Sequence, residues 1–284
     1  MTASSRSDAT PLAFRPRVPV FDANVRVGDL PGEPAHCRER AALLAEMDRH
    51  GVVRAVIYHA LTEEVSPVEG NLLLEAWLGA DTRKNGARRE RLVPQWSVLP
   101  TAASLAQVQV LHGRDRVSSV RLHDTRVAGL PFRPWAYDPL LAWLSAQRIP
   151  VWIPLPGADA DELMTTLQDY RDLVTVLIGA HYVHHLLVRP LLARLPNAHL
   201  ELSRYEPIGE IEALADEFGA GRLVYGSWYS QYAMGPMLFY LHHTNLSEEE
   251  LALVCAGNLA RIFGPALSEA GPERSQRIEG RVAS

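Results

Sequence analysis

The sequence predicts an α/β protein, a single (β/α)8 TIM barrel. Three observations predict it. Short β-branched runs alternate with longer amphipathic segments, the pattern of parallel βα units. Eight such rounds follow one another, with no linker dividing the chain and no repeat beyond this rhythm. The 284 residues also suit a barrel, a fold of roughly 250 residues. An open doubly wound sheet is the alternative, but eight units in this length favour closure.

The strands are expected to begin near Val20, Arg54, Leu92, Ser118, Val151, Thr175, His199 and Leu223. The segments between them read mostly as helices. The clearest runs from Arg38 to His50, where Leu43, Leu44 and Met47 recur at helical spacing while Glu46, Asp48 and Arg49 face away. Gly51 follows, as a left-handed C-terminal cap requires. Ser247 and Glu250 match a capping box that opens a helix around Leu251. Pro150 stands at the entry to Val151-Trp152-Ile153, a place where a strand tolerates proline. Residues 1–19 are expected to form a flexible arm, 20–264 the barrel and 265–284 a flexible tail.

A net charge of −5 leaves no basic surface for a nucleic-acid backbone. No apolar run is long enough to span a bilayer, and no apolar leader is evident at the start. Cys37 and Cys255 do not make a disulfide framework, which points to a reducing, cytoplasmic setting. Gly-x-Ser-x-Gly and glycine-rich phosphate loops are absent, and neither cysteine stands at an expected strand end.

Barrel chemistry sits where strands run into the loops that follow them. The phrases around those ends are LLAEMDRHGVVRAVIYHA at 43–60, RLVPQWSVLP at 91–100, LPNAHLELSR at 195–204, FGAGRLVYG at 218–226 and GNLARIFG at 257–264. Together with Asn71, they resemble the amidohydrolase-related family, in order, from about Val20 to Gly264. The resemblance implies hydrolase or decarboxylase ancestry, with small acidic or cyclic substrates. It also implies a metal site, and here the chain departs from the pattern. Asn24 and Arg26 stand where the first strand would end in His-x-His, Pro154 where a further histidine is frequent, and Ser227 where an aspartate follows glycine. His181 alone matches. Arg26 has no lone pair to give and would repel a divalent cation. The expectation is therefore an enzyme with no metal and no other cofactor.

Strand parity places Asn24 and Arg26 with Asp22, Arg121 with His123, and Glu201 with Ser203. His59, Gln95, His181, Trp228 and Tyr229 also fall at or just past strand ends. Arg26 and Arg121 would grip an anionic substrate group, or else form structural ion pairs with Asp22 or Glu201. His181, with Arg26 and Glu201, makes the expected catalytic set, His181 moving the proton. Asn24, Arg121, His123, His59, Trp228 and Tyr229 make the expected substrate-binding set. The blander readings are an inherited core histidine at 181, a Glu201 that braces Arg204 or a backbone amide, and loop packing for Trp228, Tyr229 and Tyr232. His59, His123, His181 and Glu201 could instead form a relocated metal site. The pairs His184-His185 and His242-His243 read as surface, because adjacent residues do not converge as i,i+4 pairs do. His36, His50, His112 and His199 take the same reading. The leading function is a hydrolase or lyase acting on a small carboxylated or cyclic molecule, as a homodimer or alone. The alternative is a barrel that has lost catalysis and serves as a binding or scaffolding protein.

Overall fold

The computed structural model describes residues 14–30, 39–79 and 91–264. Among the described residues, nine parallel strands carry the fold: β1 (Val20–Val27), β2 (Val52–His59), β3 (Leu92–Pro94), β4 (Trp96–Val98), β5 (Val120–Leu122), β6 (Val151–Pro154), β7 (Thr175–Ile178), β8 (Ala198–Glu201) and β9 (Leu223–Val224). They pair in chain order, β1 to β3 and then β4 to β9. The break between β3 and β4 is a single residue, Gln95, whose N–H still donates to the Ile57 carbonyl at 2.8 Å. Proline at 94 cannot donate to a ladder, so the eighth-part expected from Leu92 is split into β3 and β4. The circle closes where Ala23 N–H donates to the Tyr225 carbonyl at 3.1 Å and Val25 bridges Tyr229. The eight-unit barrel is thus formed, with observed strand starts within two residues of those read from the sequence.

Away from the mouth, the strands' side chains are mostly apolar on both faces, as a sheet covered on both sides demands. Phe21, Val56, Trp152, Val176 and Val224 fill the barrel interior, and Phe263 of the last helix closes its lower end. The Phe263 ring stacks on Phe21 at 5.7 Å and Trp152 at 5.8 Å. Outside, the helices pack their apolar stripes on the strands. Helix Arg40–His50 buries Leu43, Leu44 and Met47 and ends at Gly51, whose φ of 68° is the left-handed cap expected of it. Full burial of each such side chain contributes about 2 kcal/mol. Ser247 and Glu250 make the reciprocal capping box. A π-turn at Leu253–Gly257 follows, and there the Val254 carbonyl accepts the Tyr225 N–H at 2.9 Å, tying the last helix to the end of β9.

Two surface expectations change. The end of the expected arm is packed: Phe14 meets the ring of Phe239 at 5.6 Å, Val18 is buried and Arg17 N–H donates to His242 Nε2 at 3.0 Å. His242 is consequently a buried structural histidine and not a surface one. Burial holds its pKa down. Residues 1–13 and 265–284, with His36 and Cys37, lie outside the described residues. Cys255 is buried, and burial pushes its thiol up to about 12, which removes it from thiol chemistry. Among the described residues no helix is long and apolar enough to cross a membrane.

Candidate functional site

At the C-terminal ends of the strands lies a cavity of about 170 Å³. Arg26, Ser97, Arg121, His123, Ile178 and Trp228 are among its walls, contributed by β1, β4, β5, β7 and the segments that follow β5 and β9. This is where a barrel's loops converge.

The polar centre of the cavity is a carboxylate that the strand ends do not supply. Glu63 sits in the single-turn helix Leu61–Glu64, just past β2. Its Oε2 accepts from Arg26 Nη1 at 3.3 Å. Its Oε1 accepts from Arg121 Nη2 at 3.2 Å and from the Tyr58 hydroxyl at 2.6 Å. Arg121 also donates from Nη1 to Asn24 Oδ1 at 3.1 Å and lies 3.8 Å above the centre of the Tyr58 ring. Burial pushes the Tyr58 phenol well above its ordinary value, so it acts as a hydrogen-bond donor. The sequence pointed to Asp22 or Glu201 as ion-pair partners of the two arginines; the partner is Glu63. Looking only at strand ends misses it, although the barrel rule places functional groups on the following loops as well.

Asp22 and Glu201 lie deeper, both fully buried. Asp22 Oδ1 accepts the backbone N–H groups of Asn24 at 3.0 Å and Ser227 at 2.9 Å, while Oδ2 is buried without a hydrogen-bond partner. Desolvation raises Asp22 to about 7, the hydrogen bonds from Ser227 and Asn24 opposing it and the nearby Glu201 adding to it. Glu201 accepts from Ser203 N–H at 2.9 Å, Ser203 Oγ at 3.0 Å, Asn24 Nδ2 at 3.3 Å and Gly179 N–H at 3.4 Å. Burial raises its pKa too. Position 226 must be glycine, since a Cβ there would stand 1.9 Å from Glu201 Oε1. Glu201 therefore braces backbone amides beneath the mouth. Arg204 turns away to the Tyr232 ring, 4.1 Å from its centre.

The histidines divide in the same way. His123 lines the cavity, and its Nδ1 lies 2.7 Å from the Thr62 carbonyl. A carbonyl only accepts, so Nδ1 carries the proton and Nε2 is the nitrogen left with a lone pair. His59 is buried beside the cavity and accepts the Leu61 N–H through Nδ1 at 3.2 Å; burial lowers its pKa. His181 is half-buried and does not line the cavity. Its ring lies against Tyr182 at 4.1 Å, and its backbone N–H donates to His184 Nδ1 at 2.9 Å. Trp228 forms a wall, while the neighbouring Tyr229 is half-buried and does not line the cavity. The cavity thus brings together Arg26, Arg121, His123 and Trp228, with Asn24 directly behind. His59, His181, Glu201 and Tyr229 stand apart from it. Glu63, Ser97, Asp124 and Arg126, also in its walls, were not in the expected set.

Among the described residues, no three His, Cys, Asp or Glu side chains are grouped so as to hold a metal ion. His59, His123, His181 and Glu201 are accordingly not such a group. The mouth presents two guanidinium groups, an amide, a proline and a serine at the relevant strand ends, and a divalent cation does not fit that donor set.

Comparison with protein-family models finds no match, and comparison with curated proteins finds none either. Solved structures do match. An uncharacterised TIM-barrel protein from Bordetella bronchiseptica superposes with a TM-score of 0.67 at 18% identity, covering 88% of this chain and 99% of that one. A 5-carboxyvanillate decarboxylase from Sphingomonas paucimobilis gives 0.64 at 14% identity, over 87% and 99%. A dihydroxybenzoic acid decarboxylase from Polaromonas, solved with manganese and an inhibitor, gives 0.63 at 12% identity, over 87% and 97%. The fold is therefore a TIM barrel, shared with these structures.

Proposed function

We propose that the chain is a barrel enzyme, a hydrolase or lyase, acting on a small carboxylated or cyclic molecule without a metal such as the manganese bound by the Polaromonas decarboxylase. The observation that carries this reading is the meeting of His123 and Arg121 in one cavity. Arg121 uses one N–H on Glu63 and one on Asn24. A guanidinium has five N–H donors in a planar fork, so the group retains donors for a ligand carboxylate. His123, pinned through Nδ1, offers Nε2 as the proton acceptor or, once protonated, as the donor. Trp228 supplies a flat apolar wall against a ring. The proton-moving role read for His181 passes to His123 because, among the described histidines, only His123 lines the cavity. The two decarboxylases named above act on carboxylated rings, and a ligand of that size and charge suits this mouth.

Benzoate is the probe for the binding half of the reading. Titration calorimetry is expected to show saturable binding that weakens about tenfold or more in Arg121→Gln, the loss of one charge-assisted pair. Unchanged binding in that variant would remove Arg121 from the site. For the chemical half, aromatic acids and lactones are incubated with the protein and products followed by mass spectrometry. Turnover that His123→Asn abolishes while benzoate still binds supports the assignment. Turnover that survives in His123→Asn sinks it.

A second reading draws on a specific observation. Glu63 already holds both arginines, which is also how a silent binding barrel would keep its mouth stable. Benzoate binding with no turnover of any acid or lactone would favour that reading.

A further inference from the structure

We propose that the base of the barrel, opposite the mouth, is a second ligand site, for a small organic phosphate or similar oxyanion carrying an apolar group. The strands begin here, and an open cavity of about 420 Å³ is cut between them. Arg222, Arg261 and His199 supply its polar surface, and Val174, Phe218 and Ile262 its apolar one.

Charge is the first argument. Arg222 is half-buried and donates only to carbonyls: Nε to Ala198 at 2.5 Å, and Nη2 to Leu195 at 2.7 Å and Leu192 at 3.1 Å. Carbonyls fix the geometry of a guanidinium but do not cancel its charge. No carboxylate forms an ion pair with Arg222 or Arg261 among the described residues. Burial alone acts on Arg222, pulling its pKa down with no acid to offset it. Arg261, exposed at the rim, meets only the Asn258 amide oxygen. Arg222 is thus a half-buried cation, and Arg261 an exposed one beside it, with no carboxylate partner among the described residues.

His199 is the second argument. Its Nδ1 is buried without a hydrogen-bond partner. Burial, then Arg222 and Arg261, push its pKa down to about 4. Burial does most to keep this imidazole neutral, and the positive charge of Arg222 and Arg261, which adds to it, would draw an anion to the same cavity. A phosphate between the two guanidinium groups would supply the missing charge and match their planar donors. The three apolar side chains would cover whatever the phosphate is attached to.

Arg222 also holds the carbonyls at the end of helix His185–Arg194, so its removal would confuse binding with stability. Arg261 and His199 give the cleaner test. Phenyl phosphate is titrated into the full chain by calorimetry at low ionic strength. Saturable binding is expected, weakened about tenfold in Arg261→Ala, weakened less in His199→Gln, and unchanged in Arg121→Gln at the mouth. Absence of saturable binding at low millimolar phenyl phosphate would overturn the proposal. So would binding that Arg121→Gln weakens and Arg261→Ala does not, because the ligand would then sit at the mouth.

Discussion

The two ends of the barrel treat positive charge differently. At the mouth, Arg26 and Arg121 share the carboxylate of Glu63, and that carboxylate is further held by Tyr58. At the base, Arg222 meets three carbonyls and Arg261 an amide. The buried titratable groups follow the same division. Below the mouth, Asp22 is an acid that burial pushes up to about 7. At the base, His199 is a base pushed down to about 4. Desolvation disfavours the charged form in both cases, but the proton balance it produces has opposite sign. One end of the molecule therefore resists high pH poorly and the other resists low pH poorly, though both belong to one core.

Asp22 offers the largest way to break this contrast. Its folded pKa lies above its unfolded value, so the folded state holds more protons than the unfolded state between about pH 4 and pH 7. The stability it contributes is complete below that window and is lost as pH rises through it. A displacement from 3.8 to about 7 corresponds to about 4 kcal/mol. Asp22→Asn keeps an oxygen for the Asn24 and Ser227 amides and cannot ionise. Urea unfolding across that range is expected to show the variant gaining on the wild type by that amount as pH rises. Parallel curves would mean that Asp22 does not carry the proton.

Glu63 tests the mouth's network next. Glu63→Ala leaves two guanidinium groups facing one another and the Tyr58 hydroxyl without its acceptor. Removing one partner of a buried pair costs about 3 kcal/mol at the low end of the range, suited to a group that retains some exposure. At the base, Arg261→Ala is expected to cost well under about 1 kcal/mol, as exposed positions do. Both are read by urea unfolding at one pH. Equal costs at the two ends would erase the contrast.

Much of this fold was legible because barrels advertise themselves in local patterns. The β-branched runs around Val56, Val151 and Val176 had to be strands, and Gly51 and the Ser247–Glu250 box marked helix ends by chemistry that acts over a few residues. The strand ends also yielded Arg26, Arg121 and His123 by parity and Trp228 by its place just past the last strand, and all four line one cavity. Three-dimensional choices were not legible. Glu63 reaches both arginines from a turn four residues past His59, and no periodicity announces that reach. His181 stands at a strand end as expected, yet the chain turns into Tyr182–His184 at once and carries its ring out of the cavity. His242 looked like surface because its partner, the segment at Arg17, is 225 residues away in sequence.

His199 gives the smallest effect and closes the comparison from the other side. Its folded pKa lies below the unfolded value of about 6.5, so the unfolded chain takes up a proton that the folded protein refuses. The stability it contributes is present above that value and is lost as pH falls towards 4. After allowance for its partial exposure, the loss is roughly 2 kcal/mol. His199→Gln removes the titration while retaining a polar side chain, and its acid limb is expected to be shallower than that of the wild type by that amount. If phenyl phosphate binds at the base, the two observations are linked. An anion beside Arg222 and Arg261 would offset the positive charge that adds to burial in lowering the His199 pKa, and binding would raise that pKa. Wild-type stability measured with saturating phenyl phosphate would then lose less on acidification than without it, and His199→Gln would show no such difference. A ligand that stabilises wild type and His199→Gln equally at every pH would separate the histidine from the site.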